Sequence, residues 1–140
     1  MRPHIFVTED KIDGLRSVDE LREGIREGHA KTLWETILTQ ANNDCNREPL
    51  IPSSDFKGRE KVHIQYANPD WTVVNAAGMC VQTAALAALI TGDGKYRDNA
   101  LRQMEVLFDH THWPMWRDQA HTEYEADLRT GMLSRDLGLA

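Results

Sequence analysis

Apolar positions along this chain recur at helical spacing, and one long polar stretch interrupts them. The run Ile5-Phe6-Val7 is too short to predict a strand. Thr8 has the chemistry of a helix N-cap, and acidic Glu9 and Asp10 follow it in what would be the first turn. A short helix is therefore expected over 9–16. Ser17-Val18-Asp19-Glu20 is a capping box, with Ser at the cap and Glu three residues on. It predicts a longer helix over 17–41. Leu21, Ile25, Ala30, Leu33, Trp34, Ile37, Leu38 and Ala41 fall near one stripe of that helix. Gly24 and Gly28 weaken it by up to about 1 kcal/mol each relative to Ala, so packing must support it.

Over 42–70 the periodicity disappears. Asn42-Asn43-Asp44, Pro49, Pro52, Ser53-Ser54, Gly58 and Asn68-Pro69 are turn and breaker residues, and a long loop is predicted. Val62-His63-Ile64-Gln65-Tyr66 alternates weakly and suits an extended segment. The strongest element follows, a helix over 71–91 with no charged residue after Asn75. A helix apolar nearly all round must be covered on several sides. Its alanines and Gly78 let neighbours approach closely. Gly92 is placed to end it and Asp93 to cap the next helix, over 95–109. Tyr96, Ala100, Leu101, Met104, Leu107 and Phe108 are expected as that helix's buried face. The two helices form an αα-hairpin. A last helix is expected over 119–140, where Leu128, Met132, Leu133, Leu137 and Ala140 keep the period. No stop signal follows it, so the sequence reads as cut within a helix.

Composition narrows the class. At 140 residues this is one domain or a piece of one. Charged residues at 27% and apolar residues at 41% are ordinary for a folded domain. The net charge of −6 argues against nucleic acid as the main partner, because phosphate binding needs a basic face. Any anion site must be a local cluster of Arg, Lys or His. Cys45 and Cys80 are too few for a disulfide scaffold and are expected as free buried thiols, with a single bridge as the alternative. No stretch approaches the ~20 apolar residues of a membrane span, so no membrane partner is expected. The N-terminus lacks the apolar core of a secretory signal, which places the protein in the cytoplasm. A periplasmic or secreted location applies if a leader precedes it.

Candidate chemistry concentrates after residue 109. His110, His112 and His121 lie near Asp109 and Asp118, but no helical i, i+4 His pair is present. The group reads as a polar loop with hydrogen-bonded histidines, and no metal or other cofactor is expected. Trp113, Trp116 and Arg117 form a more informative cluster. Exposed indole rings stack on sugar rings, and Arg117 can pair bidentately with a carboxylate or sulfate. The alternative is that both Trp rings fill space between helices. Glu125 and Arg129 face each other at i, i+4. They form either an ordinary ion pair or part of a polar patch lining a cleft. Gly92-Asp93-Gly94 is a hairpin turn and not a phosphate loop, since no Lys-Ser/Thr follows.

Several segments resemble the heparinase II/III-like polysaccharide lyases. Arg2-Pro3-His4-Ile5-Phe6-Val7-Thr8 is similar to the start of that family. Ala84 to Tyr96, with Thr91-Gly92-Asp93-Gly94 at its turn, looks like the helix-hairpin joint of α/α toroid carbohydrate enzymes. Trp113-Pro114-Met115-Trp116 resembles the aromatic loop before a later helix. Glu125 to Gly131 and Leu137 to Ala140 resemble a helix that in the family continues further. The resemblance implies an all-α fold of helical hairpins forming part of an incomplete α/α toroid, spanning 1–140. It also implies β-elimination on an acidic polysaccharide or oligosaccharide. Trp113, Trp116, Arg117, His121 and Arg129 are then the candidate substrate-binding residues. The family's catalytic residues lie on later helices, so no catalytic residue is assigned, and the chain by itself is expected to be inactive.

Two alternatives stand beside this one. An α/α toroid glycoside hydrolase of the unsaturated glucuronyl hydrolase kind needs a carboxylic acid, which Glu123, Glu125 or Asp127 would supply. A non-enzymatic helical interaction module would associate through the apolar helix at 73–90.

Overall fold

The fold comes from a computed structural model that describes residues 7–51, 69–113 and 128–140, with the side chains of 69–72 and 128–129 outside the description. Among the described residues the protein is all-α, apart from one minimal strand pair. Strand β1 (Val7–Thr8) lies parallel to β2 (Arg16–Ser17), with Val7 opposite Arg16 and Thr8 opposite Ser17. Helix α1 spans Val18–Gly24, α2 Gly28–Cys45, α3 Pro69–Thr91, α4 Gly94–Phe108 and α5 Leu128–Leu139.

The expected helix over 9–16 is absent, and a turn connects the two strands there. Its segment carries only two large apolar residues, and one of these, Ile12, is exposed, so no apolar stripe could dock a helix. The Thr8 hydroxyl donates to the Asp10 carbonyl and does not cap a helix. The capping box at Ser17 forms as expected. Ser17 Oγ accepts from the Glu20 N–H at 3.2 Å, and Glu20 Oε2 accepts from the Ser17 N–H at 3.0 Å. Lys11 adds an ion pair to the same carboxylate at 2.6 Å.

The single helix expected over 17–41 is two helices. The break falls between Gly24 and Gly28, and Gly28 sits at φ 63, a left-handed conformation that favours glycine. At its other end α2 runs past Ala41 to Cys45, through Asn42-Asn43-Asp44. Tertiary contacts override the breaker character of these residues. Asn42 Oδ1 accepts from the Tyr96 hydroxyl at 2.9 Å, and Asp44 is buried. The expected loop therefore begins four residues later, and 52–68 lies outside the described residues.

Helix α3 is the centre of the fold and packs against α1, α2, α4 and α5. Ala77, Val81, Ala84 and Ala87 along it are completely buried. One core cluster joins Val73, Val74, Ala77, Val81 and Ala84 to Ala100, Leu107, Trp113 and Leu133. A second joins Ala87 to Ala41 and Tyr96, with Trp34 and Leu38 packed against it. Arg22 ties α1 to the end of α3, donating from Nε to the Ile90 carbonyl at 3.0 Å and from Nη2 to Leu89 at 3.2 Å. A cation on the last carbonyls of a helix also suits its dipole. Val73–Thr91, at 19 residues and a mean hydropathy of 1.8, is long and apolar enough by length and composition to cross a membrane. That corrects the expectation that no stretch approaches this size. In this fold half of the segment is buried by the protein itself.

The buried face of α4 is Tyr96, Asn99, Ala100, Gln103 and Leu107. Leu101 and Phe108, expected inside, are 49% and 58% exposed. The helix is thus turned so that two amide side chains face inward. Of the last expected helix, Leu128–Leu139 is described, and 119–127 lies outside the described residues. It crosses α3 where Gly78 meets the buried Asp136. A Cβ at Gly78 would stand 2.9 Å from the Asp136 Cβ and closer still to Oδ2. Asp136 Oδ1 in turn accepts from Gln82 Nε2 at 3.1 Å and from Arg135 Nε at 2.8 Å.

Gly78→Ala is therefore a sharp test of this crossing. Helix propensity would favour Ala by up to about 1 kcal/mol, while overpacking typically costs 1–3 kcal/mol. A net destabilisation of about 1 kcal/mol is expected in urea unfolding. An equal or more stable variant would show that α3 and α5 do not meet this closely.

Candidate functional site

Of the residues singled out in the sequence, Trp113 is placed clearly. It is 3% exposed and belongs to the main core cluster. Its indole Nε1 donates to the Leu50 carbonyl at 3.2 Å. A ring so enclosed cannot serve as a sugar-stacking platform, which corrects that expectation for Trp113. Trp116, Arg117 and His121 lie outside the described residues, as do Glu123, Glu125 and Asp127. Arg129 is on α5, with its side chain outside the description. His110 and His112 stand on an exposed turn organised by Asp109. Asp109 Oδ1 accepts from the Thr111 N–H at 2.8 Å and the Thr111 hydroxyl at 2.7 Å, which lowers its pKa. His112 Nε2 is 3.8 Å from Asp109 Oδ2. Among the described residues, no group of three His, Cys, Asp or Glu side chains is arranged to hold a metal.

Among the described residues, a shallow polar depression lies where the end of α2, the middle of α4 and the segment after α2 meet. Asn99, Arg102 and Gln103 share one face of α4 through their i, i+3 and i+4 spacing. Asp44, at the end of α2, accepts from Gln40 Nε2 at 2.8 Å and from Arg47 Nη2. Arg102 Nη2 donates to the Arg47 carbonyl at 2.9 Å, the Cys45 carbonyl at 3.4 Å and Asn99 Oδ1 at 2.9 Å. The two backbone carbonyls belong to the end of α2 (Cys45) and the segment just beyond it (Arg47), so Arg102 caps that helix from a neighbour. Gln103 uses both ends of its amide on one residue. Its Oε1 accepts from the Leu50 N–H at 2.8 Å, and its Nε2 donates to the Leu50 carbonyl at 3.0 Å.

Sequence reasoning passed over Asn99 and Gln103, yet a signal was present. Positions 96, 99, 100, 103 and 107 follow the 3–4 spacing of a buried helical stripe, and two of them are amides. A polar residue on a buried stripe needs a partner, and here the partners are Cys80 and the Leu50 backbone.

Among the described residues, the groups at this depression bind and fix backbone. Cys80 Sγ accepts from Asn99 Nδ2 at 3.7 Å, and burial pushes this thiol up to about 11. Burial also raises Cys45 above its ordinary value. Both cysteines are free thiols, Cys80 buried and Cys45 half-buried. Neither presents a thiolate nucleophile at neutral pH. Compared with known proteins, the chain matches no family model, no curated protein and no solved structure.

The raised Cys80 thiol gives a signed pH dependence. Folding favours its neutral form, so that stabilisation is complete below the ordinary value of 9.0 and is lost as pH rises toward about 11. Unfolding free energy should fall across that window, with a contribution on the order of 2–3 kcal/mol that Cys80→Ala removes. Parallel curves for wild type and Cys80→Ala in urea melts at these pH values would contradict it.

Proposed function

We propose that this chain is a helical segment of an α/α toroid domain that takes acidic polysaccharide, of the kind found in β-eliminating lyases. The observation that carries it is the joint between α3 and α4. Gly92 sits at φ 72 and donates to the Ala88 carbonyl at 2.8 Å, ending α3. Asp93 then caps α4, its Oδ1 accepting from the Lys95 N–H at 3.0 Å, while Thr91 Oγ1 accepts from the Asp93 N–H at 3.1 Å. Thr91-Gly92-Asp93-Gly94 is thus a built helical-hairpin corner, and since α/α toroids are assembled from helical hairpins, this corner supports the reading. The similarity of this corner, and of the flanking segments, to heparinase II/III-like enzymes supports the same assignment.

In this proposal Arg117 and Arg129 neutralise uronate carboxylates, Trp116 stacks on a sugar ring and His121 hydrogen-bonds the chain. Trp113 is not among the binding groups, because it is spent on the core. No residue is given a catalytic role. Titration with uronate oligosaccharides, followed by calorimetry, should give salt-sensitive binding that Arg117→Ala weakens about tenfold, the loss of one charge-assisted pair. No unsaturated uronate should appear in the ultraviolet. Absence of binding, or binding indifferent to Arg117→Ala, would defeat the proposal. Vigorous elimination by this chain would defeat the assignment of no catalytic residue.

One observation favours a second reading, a helical interaction module. Among the described residues, helix α3 has a side on which Met79 is 57% exposed, with Thr83 and Leu86 half-buried beside it. No charged residue occurs between Val73 and Thr91. Copies that each carry a net charge of −6 repel, so an uncharged face is where two could meet. Under this reading sedimentation should show a dimer that Met79→Glu returns to monomer. A stable monomer at high concentration would remove the reading.

A further inference from the structure

We propose that Glu48–Ile51 is a strap, latched by Gln103, that closes over the Cys80–Asn99 pocket and opens without unfolding of the helical core. The segment has no regular structure and lies along one wall of the depression that Cys80, Asn99 and Arg102 also line. Its hold on the core is concentrated at Leu50. Gln103, 2% exposed, takes both the Leu50 N–H and the Leu50 carbonyl, and Trp113 donates to the same carbonyl. The residues beside Leu50 contribute little. Pro49 has no N–H to give. Glu48 and Ile51 are exposed, and Pro49 and Leu50 are only half-buried.

The core makes no comparable use of the strap. The main cluster is built from α3, α4, α5 and Trp113, with Leu50 merely packed against its edge. Among the described residues, opening the strap therefore releases three hydrogen bonds and two half-buried side chains, far less than the fold as a whole. Local openings of this kind are sampled well below the global unfolding free energy. The amide of Gln103 grips backbone atoms, so the latch is set by Gln103 and not by the identity of residue 50. What opening uncovers is Cys80, whose thiol reports the event.

The test uses Cys45→Ser protein, in which Cys80 is the remaining thiol, with iodoacetamide as the probe. Cys80 should be modified faster than global unfolding allows, and Gln103→Met should accelerate it about tenfold, the loss of one to two net hydrogen bonds. Met keeps the volume and removes the amide. By hydrogen exchange, the Leu50 amide should open in step with Cys80 while the α3 amides keep wild-type protection. Should Gln103→Met fail to fold, Trp113→Phe removes the indole N–H, keeps a ring in the core, and should accelerate labelling in the same direction. Cys80 labelling at the global unfolding rate in every protein would overturn the proposal. So would a Leu50 amide that exchanges only together with the amides of α3.

Discussion

Everything in this fold answers to one constraint: α3 has no charged residue from Val73 to Thr91, so its neighbours must cover as much of it as they can, and they bury half of it. Its alanines set how that is done. Ala77, Ala84 and Ala87 are fully buried, which requires the facing helices to come close. Where α5 crosses, the approach is closer still, and Gly78 supplies the space for Asp136. Large side chains come from the partners, Leu107 from α4 and Leu133 from α5. Truncating either to Ala would leave a cavity in a place with few large groups to fill it.

The last carbonyls of a helix have no partner within it and must be satisfied from elsewhere. Arginines from neighbouring elements do this twice. Arg22 of α1 reaches the last carbonyls of α3, and Arg102 of α4 reaches the carbonyls where α2 ends. These contacts fix the relative placement of helices as well as ending them. They also explain why the polar depression sits where it does. It is the place where α2 stops, so its polar groups serve the backbone before they serve any ligand.

The elements most visible in the sequence were those specified locally. The Ser17–Glu20 box is complete within four residues and the Gly92-Asp93 corner within eight, from Ala88 to Lys95, and both formed as their spacing predicts. α3 was equally plain, because a run without charges has few alternatives. The misreadings share the opposite cause. Asn42-Asn43-Asp44 is helical because Tyr96, some fifty residues away, donates its hydroxyl hydrogen bond to Asn42 Oδ1. The inward turn of α4 depends on Asn99 and Gln103 finding Cys80 and Leu50, and although the 3–4 spacing of the stripe is local, the identity of these distant partners is not. The candidate site was legible only as a list of residue types. Of those, Trp113 proved to be core, since an indole with its N–H satisfied by a backbone carbonyl is well suited to burial.

The commitments of the charged side chains bear on what the surface can bind. Arg22, Arg26, Arg47, Arg97 and Arg135 each stand against a carboxylate, and Arg102 is occupied by carbonyls. An anionic sugar approaching any of these must displace a partner already in place, on a molecule whose net charge is −6. Exposed pairs such as Arg26 with Glu23 yield easily, being worth well under about 1 kcal/mol. Arg47 does not, because releasing it leaves the buried Asp44 short of a charge partner. Acidic-polysaccharide binding, as proposed, therefore depends on Arg117 and Arg129 and draws on none of these six. An anion held by the polar depression would have to compete with the same bonds that end α2, and so would loosen the fold as it bound.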